Sequence, residues 1–118
     1  LTPDDKDFLK KLKTDLFEDR IFVFTPAGDV VDLPKDASAI DFAYAIHSEI
    51  GNTAMSAMIN GKNSALKTIL KSGDIVDIQT NKKGVPSAKW LKFAKTSMAR
   101  KHIEKHAEDG LIAKIFGK

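Results

Sequence analysis

Two pairs of short β-strand patterns flank one amphipathic helix within about 60 residues, and this order constrains the fold most. Residues 21–25 (IFVFT) and 30–33 (VVDL) are rich in aromatic and β-branched side chains and surround the turn Pro26–Asp29. Further strands are predicted at Thr53–Ile59, near Ser64–Leu66 and at Ile75–Gln79, with a tight turn at Asn60–Gly61. The pattern is typical of a mixed sheet.

A helix is predicted from Ser38 to about Ile50, between the two strand pairs. Its apolar residues share one face at helical spacing, and these are Phe42, Ala43, Ile46 and Ile50. Ser38 and Asp41 form a weak version of the capping box, and Gly51 is expected to end the helix. A helix laid across a small sheet buries both apolar faces economically, so the sequence predicts an α+β fold of the β-grasp, ubiquitin-like class.

Helical patterns also flank this body. Residues 4–17 form a short amphipathic pattern, and the polar stretch 81–84 has the character of a linker. A basic helix is expected from Ala88 to about Ala107, with Gly110 as its stop and residues 111–118 as a further short helical piece. Its apolar stripe comprises Trp90, Leu91, Ala94 and Met98, and Ile103 is expected to lie off that stripe. The predicted organisation is therefore 1–19, 20–80 and 81–118.

Composition excludes several classes of protein. The chain has 118 residues, 42% of them apolar, which suits one globular domain with an appended element. The longest apolar runs are about four residues, as at Ile21–Phe24, so no membrane span is expected. The absence of cysteine excludes disulfides and thiolate chemistry. No secretory leader opens the chain, and the first residue, Leu1, suggests a piece of a longer protein.

Charge is distributed unevenly along the chain. Residues 1–80 carry 9 basic and 13 acidic side chains, whereas residues 81–118 carry 10 basic and 3 acidic ones. A basic tail behind a mildly acidic body suits a phosphate-rich or acidic partner, and a solvated helix face explains the pattern equally simply.

Motifs for catalysis are nearly absent. The chain has no phosphate-binding loop and no dinucleotide-binding glycine pattern. His102 and His106 stand four residues apart, but the glutamate of the zinc-protease motif is missing and no third ligand is evident, so solvated histidines are the simpler interpretation. We therefore expect no catalytic residues, no metal and no cofactor in this chain.

His47 is the main candidate for binding. Helical geometry places it at the rim of the apolar face, with Tyr44 three residues away, so the two rings are expected to be neighbours. Such rings suit stacking on an unpaired base or pairing with a phosphate, while a histidine that merely covers the edge of the core would show the same spacing.

Residues 21–80 resemble a TGS domain, and the order of motifs is similar to that in RelA/SpoT-type stringent-response proteins. The matching motifs are Val23–Asp29 (VFTPAGD), Asp41–Gly51 (DFAYAIHSEIG), Asn60–Lys62 (NGK) and Leu70–Ile78 (LKSGDIVDI). The resemblance continues in the flanks, at Lys13–Phe17 (KTDLF), Pro86–Leu91 (PSAKWL) and Lys95–Arg100 (KTSMAR).

The resemblance implies a function that composition does not show. The parent proteins make the alarmone (p)ppGpp, many also hydrolyse it, and a chain like this one is part of their cytoplasmic regulatory half. It implies contact with the 3′ CCA end of deacylated tRNA on the ribosome, through the residue at His47. With Tyr44, the nucleic-acid-binding candidates are Lys62, Lys82, Lys83, Lys92, Lys95 and Arg100. The alternative partners are acyl carrier protein or the parent's own catalytic domains.

Overall fold

The computed structural model describes residues 19–116, with side chains described through residue 107. The helix predicted over residues 4–17 lies outside the described residues. Five strands form the sheet: β1 (Arg20–Phe24), β2 (Val30–Pro34), β3 (Ala54–Ile59), β4 (Lys62–Ser64) and β5 (Val76–Thr80).

The strands form a mixed sheet of β-grasp type. β1 pairs antiparallel with β2, and β3 pairs antiparallel with both β4 and β5. A parallel bridge between Phe24 and Ile75 joins the two groups, and the N–H of Phe24 donates to the carbonyl of Asp74 at 2.8 Å. The predicted hairpin over residues 21–33 is confirmed. β4 begins earlier than predicted, because Asn60 and Gly61 form a two-residue turn with positive φ angles of 52° and 82°.

The predicted helix over residues 38–50 is two helices, α1 (Ala39–Ile46) and α2 (Ser48–Asn52). Six consecutive residues of α1, Ala39–Tyr44, are buried, which a helix lying on one sheet does not require. One side of α1 packs on the sheet, where Phe42 meets Val23, Leu33 and Val76. The other side is covered by the C-terminal segment, where Tyr44 meets Ala99 and Ile103.

The C-terminal segment is folded against the body. It consists of a 3₁₀ helix (Ala88–Lys92) and a long helix, α3 (Ser97–Phe116). The prediction of one helix from Ala88 that stops at Gly110 is wrong. Residues 93–96 are not helical and separate the two helices, and α3 continues through Gly110 to Phe116. Met98, expected on the apolar stripe, is 51% exposed, whereas Ile103 is fully buried.

A buried carboxylate fixes the break between the two C-terminal helices. Asp41 of α1 is fully buried and accepts hydrogen bonds from the backbone N–H groups of Ser38, Lys95 and Thr96, at 2.9–3.0 Å. The hydroxyls of Ser38 and Thr96 donate to the same carboxylate at 3.0 and 3.1 Å. One side chain therefore caps α1 and also holds the turn that begins α3. The capping role was predicted from the sequence; the second role was not.

Candidate nucleic-acid interface

His47 occupies the junction between α1 and α2. Its backbone is extended (φ −168°, ψ 143°), its N–H donates to the carbonyl of Ala43 at 3.2 Å, and its Nδ1 accepts from the N–H of Glu49 at 3.0 Å. The residue thus ends one helix and caps the next. The helix breaks here because the imidazole supplies the acceptor that an N-terminal cap requires.

The cap also fixes the chemical character of the ring. An Nδ1 that accepts a hydrogen bond carries no proton, so the neutral ring carries its proton on Nε2. The side chain is exposed, and the ring presents an Nε2–H donor and a flat face to an incoming ligand. The predicted position of His47 at the rim is confirmed, although the backbone there is not helical.

His47 lines a surface depression of about 470 Å³. The other residues that line it are Glu49, Ile50, Thr53, Thr80 and Lys82. Its composition is mixed: an aromatic face and an aliphatic side chain suit a base, while hydroxyl groups and one carboxylate suit sugar hydroxyls, and Lys82 suits a phosphate. The depression could hold a terminal nucleotide.

Tyr44 is not at this rim. It is 1% exposed, and its hydroxyl donates to Oδ1 of Asn52 at 2.9 Å. Its ring stacks on His102 of α3, with centroids 5.4 Å apart and planes 26° from parallel. The expectation that Tyr44 and His47 are exposed neighbours is therefore corrected: the break at His47 lets α2 fold back over Tyr44, and α3 covers the rest of the ring. Tyr44 is therefore a core residue that joins α1, α2 and α3.

Burial raises the pKa of Tyr44 to about 12 from an ordinary value of 10.0. Between these values the unfolded chain loses the phenol proton while the folded chain keeps it, so stability falls as the pH rises from about 10 to about 12. The full loss is about 2–3 kcal/mol. Tyr44 is the chain's one tyrosine, so phenolate absorbance should titrate near 12 in buffer and near 10 in urea. Tyr44→Phe should remove this part of the alkaline destabilisation. A native titration near 10 would contradict the burial.

The predicted basic residues do not form one group. Lys82 lines the depression, and the exposed Lys83 follows it in the turn after β5. Lys62 is exposed and pairs with Ile59, at one end of β3. Thr80, which lines the His47 depression, pairs with Ala54 at the other end. Five residues of strand separate these ends by about 17 Å. Lys62 is therefore remote from His47.

The tail cations occupy other positions. Lys92 and Lys95 are exposed, and Lys95 lines a different depression with Arg20 and Asp32. Arg100 is committed to the fold, since its Nη1 donates to the carbonyls of Leu91 at 2.8 Å and Ala94 at 3.1 Å. These bonds satisfy one carbonyl of the 3₁₀ helix and one just after it. Part of the Arg100 guanidinium therefore serves the fold, and its role as a phosphate contact stays a prediction.

His102 differs from the solvated histidine that the simpler interpretation of its spacing predicts. His102 is half-buried against Tyr44, and its Nδ1 lies 2.9 Å from the carbonyl of Met98. Within the part of the chain whose placement is described, no three histidine or acidic side chains are grouped as metal ligands would be.

Among the described residues, no helix has both the length and the apolar character that crossing a bilayer requires.

Sequence reasoning missed Thr53, Thr80 and Asn52 around this site. Thr53 and Thr80 lie at the ends of β-strand patterns, and the pairing of Ala54 with Thr80 brings them to α2. Only knowledge of the strand register could have placed them beside His47.

The chain belongs to the TGS-domain family. The sheet order and the parallel bridge between Phe24 of β1 and Ile75, just before β5, are typical of a β-grasp module, and the TGS domain model matches residues 21–80. A GTP pyrophosphokinase of Myxococcus xanthus is 50% identical over 100 residues, which are 85% of this chain and 13% of that protein. A guanosine-3′,5′-bis(diphosphate) 3′-pyrophosphohydrolase of Aquifex aeolicus is 49% identical over 98 residues, 83% of this chain and 14% of that protein.

These relatives confirm the resemblance to RelA/SpoT-type proteins. The chain spans less than one sixth of the length of either relative. Among solved structures, a designed protein based on ubiquitin aligns with a TM-score of 0.39 and 17% identity, covering 58% of this chain and 94% of that one.

Proposed function

We propose that this chain is the regulatory module of a cytoplasmic (p)ppGpp synthetase/hydrolase and contacts the 3′ CCA end of deacylated tRNA on the ribosome. The observation that carries the proposal is His47, whose ring is exposed in a depression and oriented by the Nδ1 cap. A ring fixed before binding loses little conformational freedom when a ligand stacks on it. The family membership supplies the class of parent enzyme.

The depression suits discrimination by exclusion. A terminal ribose with free hydroxyl groups would meet Glu49, Thr53 and Thr80, whereas an aminoacyl group on that ribose needs additional room. A site that accepts the smaller ligand and clashes with the larger one needs no catalysis. The module would thereby report uncharged tRNA to the parent enzyme.

His47→Asn tests the ring without removing the cap. Asparagine is a good N-terminal cap, so α2 should form and the unfolding midpoint should stay close to that of the unchanged chain. The stacking face and the Nε2–H donor are lost, and base stacking on an aromatic side chain contributes about 1–3 kcal/mol. Binding of deacylated tRNA, measured by filter retention, should weaken by about tenfold.

The control is Lys62→Gln, which removes an exposed cation remote from His47 and should change binding much less. Unchanged binding by His47→Asn would contradict the proposed site. If the unchanged chain binds no tRNA but binds acyl carrier protein or the parent's catalytic half saturably, the module is a protein-interaction domain instead.

A further inference from the structure

We propose that a second phosphate-binding site lies beside the His47 depression, in a notch between α3 and the segment that follows β5. The notch, here called the basic notch, is lined by Asn52, Gly84, Val85, Pro86, His102, Lys105 and His106. Its volume is about 360 Å³. The inference rests on the proposed function, because it assigns the notch to the phosphate backbone of the same RNA strand.

The charge of the notch favours an anion. His102, Lys105 and His106 stand at positions i, i+3 and i+4 of α3 and so share one helical face. Among residues whose side chains are described, no carboxylate lines the notch. Glu104 lies toward Arg100 instead, with Oε1 3.9 Å from Nε.

The orientation of His102 leaves one ring nitrogen for a ligand. Its Nδ1 donates to the carbonyl of Met98, because a carbonyl can only accept, and its face rests on Tyr44. Nε2 is therefore the atom left to meet a ligand, and in the neutral ring it carries no proton and only accepts, so it suits a ribose 2′-hydroxyl beside the phosphate rather than the phosphate itself. A ring held by both a stack and a hydrogen bond is a preorganised contact, unlike a freely rotating surface histidine.

The notch and the His47 depression lie on either side of one tight turn. The N–H of Asn81 donates to the carbonyl of Thr53 at 3.0 Å, and the N–H of Gly84 donates to the carbonyl of Asn81 at 2.7 Å. A Cβ at Gly84 would stand 3.0 Å from the Thr53 carbonyl oxygen, so the turn is packed directly on Thr53. Lys82 of this turn lines the His47 depression, and Gly84 of the same turn lines the basic notch.

The short distance along the chain between the His47 depression and the basic notch favours an RNA backbone over a free nucleotide as the source of the phosphate. A strand whose last nucleotide occupies the His47 depression can continue over Lys82 and the turn into the basic notch. Open grooves with a cationic side chain follow a nucleic-acid backbone, and the notch offers Lys105 to one phosphate. The basic notch therefore suits a backbone phosphate diester of single-stranded RNA.

The test uses the 118-residue chain and a short fluorescent single-stranded RNA ending in CCA, with anisotropy measured over a range of salt concentrations. Lys105→Gln with His106→Gln should weaken binding several-fold and lower the slope of log affinity against log salt by about 1. The matched control, Lys101→Gln, removes an exposed lysine of the same helix that does not line the notch. It should change both quantities less.

Two further arms separate the possible failures. The unchanged chain and His47→Asn are compared on RNA with a free and with a blocked 3′ end, because the proposed function requires a preference for the free end that His47→Asn loses. If RNA with a free 3′ end binds no tighter than blocked RNA, while the double variant still lowers the salt slope, the basic notch is supported and the proposed recognition of the 3′ end is contradicted. If the double variant behaves like Lys101→Gln, the notch is overturned, as it is if RNA fails to bind at low salt. Saturable GDP binding that the double variant loses, with RNA binding unchanged, overturns the assignment to RNA.

Discussion

Asp41→Asn should destabilise the fold by about 3–5 kcal/mol, the largest loss expected from an isosteric change in this chain. The carboxylate accepts from three backbone N–H groups and two hydroxyls and is fully buried. An asparagine presents an NH₂ group to at least one N–H donor, which leaves buried donors without partners. Each such loss costs about 1–3 kcal/mol.

The loss should fall first on the C-terminal segment. Lys95 and Thr96 are held to α1 by this carboxylate, and the single tryptophan, Trp90, packs against the buried cluster that includes Tyr44, Ala94 and Ile103. Urea unfolding followed by Trp90 fluorescence should therefore shift more than unfolding followed by far-UV circular dichroism. Asp77→Asn, at an exposed carboxylate, is the control and should change stability by no more than about 0.5 kcal/mol. A loss below 1 kcal/mol for Asp41→Asn would show that the tail is held by other contacts.

Gly51→Ala should destabilise the fold by about 3 kcal/mol. A Cβ at this position would lie inside the van der Waals radii of Cγ, Cδ1 and Cε1 of Tyr44. The ring cannot move aside easily, because Asn52 holds its hydroxyl and His102 lies against its face. Gly51 was expected to end a helix; its actual role is to let α2 approach the tyrosine.

A double-mutant cycle distinguishes this clash from a general helix effect. Combining Gly51→Ala with Tyr44→Ala removes the ring that the new methyl group meets, so the double variant should cost less than the sum of the single ones. Gly61→Ala is the control, since a Cβ there meets nothing within 4 Å and its cost comes from the positive φ of 82°. Additive losses at Gly51 and Tyr44, measured by urea unfolding, would contradict the steric explanation.

Local signals predicted the body of the fold well. The hairpin was readable from its β-branched residues and the Pro26–Asp29 turn, and the capping pair Ser38 and Asp41 was readable from its spacing. The break at His47 was not, because Phe42, Ala43, Ile46 and Ile50 keep a helical period across it. Periodicity reports only the spacing of apolar residues. It does not report a side chain such as that of His47, which accepts a backbone hydrogen bond and so starts a new helix.

The site could be predicted only in part, for a physical reason. His47 was named from its residue type and position and Lys82 from its charge; both line one depression, and their part in binding stays a prediction. Tyr44 was misplaced because its burial depends on α3, more than 50 residues later in the sequence. The bonds of Arg100 were not foreseen, because a continuous helix would not expose the carbonyls that accept them. Contacts between segments that are distant in the sequence decide which of the residues predicted to be exposed are available for binding.

The most direct test of the central claim is the ratio of affinities for deacylated and aminoacylated tRNA, measured with the unchanged chain and with His47→Asn at two salt concentrations. The account predicts tighter binding of deacylated tRNA, a ratio that salt changes little, and a ratio close to one in the variant. Binding that falls steeply with salt and is equal for the two tRNAs would contradict it, because the chain would then attract phosphate without reading the 3′ end.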